Sequence, residues 1–146
     1  MIISIAETKA QIEKCYPVIA QLRPTLSQND FLERVIRQRG KGYKLVFLED
    51  NDKVVSVAGF NILENLVSGK FLFVDDFITD AESRSKGYGG KLFDWIIEFA
   101  RKEDCQSIQL TSGEQRKEAH RLYHKKGMYI KDGYYFILQL KTKNGV

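Results

Sequence analysis

The stretch FLFVDDFITDAESRSKGYGGK, residues 71–91, decides the fold. Its first eight residues, 71–78, are apolar apart from Asp75 and Asp76, the composition of a strand buried in a sheet. A polar loop follows, then Arg84, Ser85, Lys86, Gly87, Tyr88, Gly89, Gly90 and Lys91. From 87 to 103, Leu92, Trp95, Ile96, Phe99 and Ala100 recur at helical spacing. A second buried strand is expected over 107–111. Strand, glycine turn, helix and strand in that order imply a crossover connection with the two strands parallel.

Outward from this unit the pattern extends in both directions. Upstream, residues 43–48 and 53–62 read as strands around a turn at 49–52, and a turn at 68–69 leads into 71–78, giving an antiparallel meander. Before them come a strand over 1–6, a helix over 8–22 and a second helix over 29–39. Pro17 interrupts the first helix and is expected to divide it into two short pieces. Ser27 is the expected N-cap of the second, and Gly40 its stop. Downstream, a helix over 114–126 stops at Gly127. Two short strands, 128–130 and 134–140, are expected to close the chain around a hairpin turn at Asp132 and Gly133. The whole is a mixed α/β sheet, one domain over residues 1–146, with no repeat, low-complexity tract or linker.

The glycine turn carries the chemistry. Glycines between a strand and a helix adopt backbone conformations closed to other residues and let the chain approach a ligand closely. The first N–H groups of a helix, with the helix dipole behind them, bind phosphate oxygens. Arg84, Lys86 and Lys91 add positive charge at the same point, so the loop suits a pyrophosphate. The dinucleotide fingerprint is not met, because Leu92 stands where its third glycine belongs. The P-loop is not met either, because Leu92 follows Gly90-Lys91 in place of Ser or Thr.

The pattern R/Q-x-x-G-x-G/A is met by Arg84, Gly87 and Gly89, and further on Ala119, Tyr123 and Gly127 complete an A-x-x-x-Y-x-x-x-G pattern. In these two motifs, and in the order of helices and strands over almost its full length, the chain resembles the GNAT acetyltransferase superfamily. Leu22-Arg23-Pro24, Val74-Asp75-Asp76 and the helix bearing Arg116, Ala119 and His120 resemble a bacterial subgroup of small GNAT proteins whose substrates are mostly unassigned. The resemblance implies a mixed, mostly antiparallel sheet of about six or seven strands, splayed near the cofactor and flanked by four helices. It implies acetyl-CoA as cofactor, with residues 84–91 holding the pyrophosphate and the backbone of Phe77, Ile78 and Thr79 holding the pantetheine arm. It brings Arg116, Ala119 and Tyr123 to the cofactor and gives Tyr123 the role of proton donor to the departing thiolate. Many family members carry Asn where this chain has Arg116, so Arg116 either contacts cofactor or pairs with an acid.

Acetyl transfer to an amine also needs a group to take the amine's proton. Asp75 and Asp76 are adjacent acids in an apolar strand, and strand alternation points them to opposite faces. One is expected to face the acceptor, as a base or as an anchor for a cation; the bland alternative is an ion pair with Arg23 or Arg84. His120 is the third candidate base, with an intrinsic pKa suited to proton transfer. Tyr123 has its own bland alternative, a packed aromatic with a satisfied hydroxyl.

The totals bound the rest. The chain has 146 residues, 43% hydrophobic and 29% charged, with nine Phe and seven Tyr: a globular composition with a core to fill. The net charge of +4 is mild and scattered, without exposed aromatics interleaved on a basic strand face, so nucleic-acid binding is not expected. Cys15 and Cys105 lack metal-type spacing, and no apolar run approaches a membrane span, so no metal and no membrane are expected and a reducing, cytoplasmic setting is. The expected activity is transfer of acetyl from acetyl-CoA to an amine of a small molecule or peptide; the alternative is a coenzyme-A-binding sensor with little catalysis. Asp75, Asp76 and Glu64 favour a cationic acceptor. Oligomeric state, a homodimer included, is left open.

Overall fold

In the computed structural model, which describes residues 1–131 and 133–141, the chain divides into two compact units: residues 1–113, and the residues from 114 on. The first unit opens with β1 (Ile2–Ile5) and α1 (Lys9–Leu22). Thr8 caps α1: its Oγ1 accepts from the Gln11 N–H at 3.1 Å, and Gln11 Oε1 accepts back from the Thr8 N–H at 3.0 Å. The reciprocal pair satisfies donors that a helix start leaves open. Pro17 does not divide this helix, contrary to expectation. It lies on the exposed face, where the carbonyl left without a proline N–H is open to solvent rather than buried. Ile12, Cys15, Val18 and Ile19 bury the opposite face and hold both halves down. Ser27 caps α2 (Gln28–Arg39) as expected, accepting from the Asp30 N–H at 3.1 Å.

The meander forms as β2 (Lys44–Asp50), β3 (Lys53–Asn65) and β4 (Gly69–Thr79), all antiparallel. Asn51 and Asp52, both with positive φ, make the tight β2–β3 turn. β1 adds antiparallel to β2, and β5 (Ser107–Leu110) adds parallel to β4, giving the order β1-β2-β3-β4-β5. The parallel pair is the one expected across the glycine turn.

Helices cover the sheet on both faces. On one face Leu45, Phe47, Val57 and Ile78 join Ile12, Cys15, Ile19, Phe31 and Val35 of α1 and α2. On the other lies α3 (Tyr88–Lys102), where Phe93 meets Phe77 edge-on at 5.6 Å between centroids and Phe99 meets Phe60 at 5.3 Å. Residues 45–48 are accordingly buried on both sides and show no polar alternation.

The second unit contains α4 (Lys117–Lys125), shorter than the expected 114–126, with Arg116 at its N-cap. It ends at Gly127, whose φ is 95°: the Gly127 N–H donates to the His124 carbonyl and the Met128 N–H to the Tyr123 carbonyl, both at 3.0 Å. This C-terminal closure needs a left-handed residue, which explains the glycine four positions after Tyr123. The two closing strands do not form: residues 128–130 and 134–140 lie in no helix or strand, and Tyr134, Phe136 and Leu140 are exposed. A strand exists only where a partner ladder bonds it, and among the described residues none bonds these. Asp132, half of the expected hairpin turn, lies outside the described residues. The fold is therefore α/β, with five strands and four helices among the described residues, rather than six or seven strands.

Candidate functional site

β4 outruns its parallel neighbour. Pairing with β5 stops at Val74↔Leu110, while β4 continues to Thr79. Among the described residues, Phe77, Ile78 and Thr79 therefore lie beyond the pairing with β5. A 3₁₀ turn, Ala81–Ser83, then turns the chain toward α3. Ser85 has φ 66° and Gly87 φ 81°, two left-handed residues within three positions. For serine this conformation costs about 1–2 kcal/mol, a strain that is seldom kept without use.

Gly87 is the N-cap of α3 and offers no side-chain cap to the N–H groups behind it. A β-carbon built on Gly87 meets nothing within 4 Å, so the protein leaves that side of the turn open. Arg84, Ser85, Lys86 and Lys91 are exposed around it; Tyr88, Gly89 and Gly90 are half-buried. The Tyr88 hydroxyl donates to Asp50 Oδ2, tying the first residue of α3 to the end of β2. That carboxylate raises the phenol's pKa. An open glycine N-cap, uncapped N–H groups and surrounding cations are the donor set a pyrophosphate requires.

The two acids of β4 lie further back along the strand, and they share a face. Gly59 pairs with Asp76 and Phe60 with Val74, so Asp75 is an extra residue, a β-bulge. The bulge cancels the alternation that was expected to separate them. Asp76 accepts from the Tyr43 hydroxyl at 2.7 Å and from Arg23 Nη2 and Nε at 3.1 and 3.3 Å. Arg23 Nη2 also donates to the Asp75 carbonyl oxygen at 3.1 Å. The Asp75 carboxylate is exposed and accepts from Asn61 Nδ2 at 2.9 Å. Partial burial and the Asp76 charge push the Asp75 pKa up; the Asn61 hydrogen bond and Arg23 oppose them.

In the second unit, Tyr123 is buried on α4 and Arg116 stands at the helix N-cap. Burial pushes the Tyr123 phenol up; the Arg116 guanidinium, within hydrogen-bonding reach, pulls it back. Ala119 and His120 are half-buried on the same helix, the His120 ring 6.4 Å from that of Tyr123.

The family model for the acetyltransferase (GNAT) family matches residues 7–128. The chain belongs to the GNAT acetyltransferase family. A GNAT enzyme is an acetyl-CoA-dependent acyltransferase, and this chain is one. It is 32% identical over 130 residues to the uncharacterized N-acetyltransferase YhdJ of Bacillus subtilis, over 88% of this chain and 92% of that protein. Its fold is that of a ribosomal-protein-alanine N-acetyltransferase from Brucella melitensis, with a TM-score of 0.82, 16% identity and coverage of 95% and 100% of the two chains. It is also that of the aminoglycoside N-acetyltransferase AAC(6')-Iy in complex with CoA, with a TM-score of 0.83, 12% identity and 95% of each chain covered.

Within this GNAT chain the sequence-predicted residues fall into three groups. Residues 77–79 and 84–91 are consecutive along β4, its turn and α3. Asp75 and Asp76 meet Arg23 on one face of the sheet, and the ion pair joins Arg23 to Asp76. Arg116, Ala119, His120 and Tyr123 gather on the second unit. Sequence reasoning missed Tyr43 and Gly59, which stand beside the acids. A glycine inside the apolar strand Lys53–Asn65 was the available signal, since an interior strand glycine marks a bulge or a close approach. Cys15 lies in the core, its thiol pushed up to about 12 by burial. Among the described residues no group of side chains is placed to hold a metal ion, and no helix is long and apolar enough to cross a membrane.

Proposed function

We propose that this GNAT enzyme acetylates an amine of a small molecule or peptide, with Asp75 as the acid that meets the acceptor. The observation that carries this is the division of labour at the bulge. Asp76 has both carboxylate oxygens taken by Tyr43 and Arg23, while Asp75 is exposed with one oxygen on Asn61. An ammonium has three donors and no acceptor, so a reachable carboxylate is its natural partner. The raised pKa makes Asp75 a better proton acceptor than a free aspartate.

The cofactor side follows the resemblance. Residues 84–91 would hold the pyrophosphate and the backbone of residues 77–79 the pantetheine arm; Arg116, Ala119 and Tyr123 would stand at the thioester end. Acetyl-CoA supplies an activated acetyl group with a thiolate leaving group. In this scheme Asp75 would take the amine's proton, and the resemblance gives Tyr123 the part of proton donor to the departing thiolate. His120 has no step in this scheme. The family model runs unbroken across the boundary at Gly113, which supports reading 1–146 as a single N-acetyltransferase domain.

Thiol release from acetyl-CoA across a panel of primary amines tests the assignment. Asp75→Asn is expected to lose about 10²-fold in turnover, the low end for general-base loss, with the KM for acetyl-CoA unchanged. Full activity in Asp75→Asn on an amine that the native enzyme acetylates would falsify the role of Asp75.

A further inference from the structure

Tyr43 precedes β2 and is 4% exposed, yet its hydroxyl reaches the acids of β4. It can do so because of Gly59. A β-carbon at Gly59 would lie 1.6 Å from Tyr43 Oη and 2.3 Å from its Cζ, so the phenol occupies the place of the missing side chain. Gly59 is also the residue that pairs with Asp76, at the step where the register shifts. Its φ is not positive, so the glycine is there for space rather than for conformation. Tyr43 from above and Arg23 from the end of α1 thus grip opposite oxygens of Asp76, and Arg23 also holds the Asp75 carbonyl. Four hydrogen bonds, three from Arg23 and one from Tyr43, fix the two residues that form the bulge, and none uses the Asp75 carboxylate.

We propose that Tyr43, admitted by Gly59, is a positioning residue for the acceptor half of the reaction: by clamping Asp76 beside Arg23 it fixes the bulge that turns the Asp75 carboxylate onto the acceptor face. The inference rests on the reading of Asp75 given above. The groups that face Asp75 are Asp76 on its own strand, Arg23 from α1, Asn61 from β3 and Tyr43 from the start of β2. Removing the Tyr43 hydroxyl leaves Asp76 neutralised by Arg23 alone. More of its charge then reaches Asp75, whose carboxyl holds its proton to higher pH.

The experiment is a carboxyl ¹³C NMR titration of Asp75 in the full chain, assigned by its loss in Asp75→Asn. In Tyr43→Phe the Asp75 midpoint is expected to rise above that of the native protein, with acetyl-CoA affinity by calorimetry within about twofold. Gly59→Ala, which displaces the phenol, is expected to move the midpoint in the same direction. Because Tyr43→Phe keeps the ring and its packing, it decides the matter if Gly59→Ala does not fold. A midpoint in folded Tyr43→Phe that coincides with the native one overturns the inference and makes Tyr43 a core residue. That failure is distinct from failure of the Asp75 reading, which shows as undiminished amine acetylation by Asp75→Asn and takes this inference with it.

Discussion

Tyr123 is pushed up by burial and pulled back by Arg116, so it keeps its proton near neutral pH yet has a cation beside the phenolate it would become. That setting is compatible with the proton-donor role proposed for it. A thiol has an ordinary pKa of about 8.5, and its anion is tolerable in water but less so in a partly closed site. Tyr123→Phe is expected to lower kcat on the order of 10²-fold with the acetyl-CoA KM little changed, because the ring and its packing remain. Single-turnover kinetics check it; an unchanged chemical step would leave Tyr123 a packed aromatic. The same residue shows what a sequence reveals at this scale. Tyr123 and Gly127 could be paired by spacing, and the structure supplies the reason: the Tyr123 carbonyl accepts from the residue after Gly127. Tyr43 could not be found that way. Its partners lie 16 and 33 positions on, and only the fold brings a phenol into the space left by a glycine.

Among the elements, the turn that carries Arg84 to Gly89 hangs from one buried carboxylate. Asp80, 7% exposed, accepts from Gln21 Nε2 of α1 at 2.7 Å and from Ser83 Oγ at 3.0 Å, with Lys53 Nζ of β3 at 3.4 Å. Its N–H donates to Val55, and Gln21 Oε1 accepts from the Ala81 N–H. The Gln21 hydrogen bond, then Ser83 and Lys53, lower the Asp80 pKa below its ordinary 3.8 despite burial. A depressed carboxylate contributes stability above its unfolded pKa and loses it as pH falls through the folded value. Asp80→Asn is therefore expected to cost about 2 kcal/mol near neutrality. The gap in Tm from the native protein should close as pH drops below the carboxylate range; thermal melts from pH 7 down to pH 3 measure it. A gap constant with pH would mean that the charge contributes nothing. Elements were legible where the signal was local: Ser27 as cap, the 49–52 turn, the α3 stripe. They were not where a partner decides. Pro17 was overruled by the buried stripe of α1, and the apolar run 134–140 has strand composition without a ladder.

For the molecule as a whole, ligand binding and folding are one equilibrium, since a ligand held only by the folded chain stabilises it by RT ln(1 + [L]/Kd). The end of β4 at residues 77–79, the strained Ser85 and the open N-cap at Gly87 lie on consecutive segments, and their arrangement is lost in the unfolded chain. Acetyl-CoA at a hundred times its Kd is expected to add about 2.7 kcal/mol. A domain of this size moves by roughly 2–4 °C per kcal/mol, so Tm should rise by about 5–10 °C. Gly87→Val separates this from nonspecific stabilisation. Its β-carbon meets no protein atom, so its cost to the free enzyme is the strain of a β-branched residue at φ 81°, about 1–3 kcal/mol. In the bound state the same side chain stands where the pyrophosphate would approach, so the variant should melt a few degrees lower and gain nothing from acetyl-CoA. Differential scanning calorimetry with and without the ligand gives both numbers. If folded Gly87→Val keeps the full ligand-induced rise, the glycine turn does not hold the pyrophosphate, and the cations at 84, 86 and 91 have no anion to meet there.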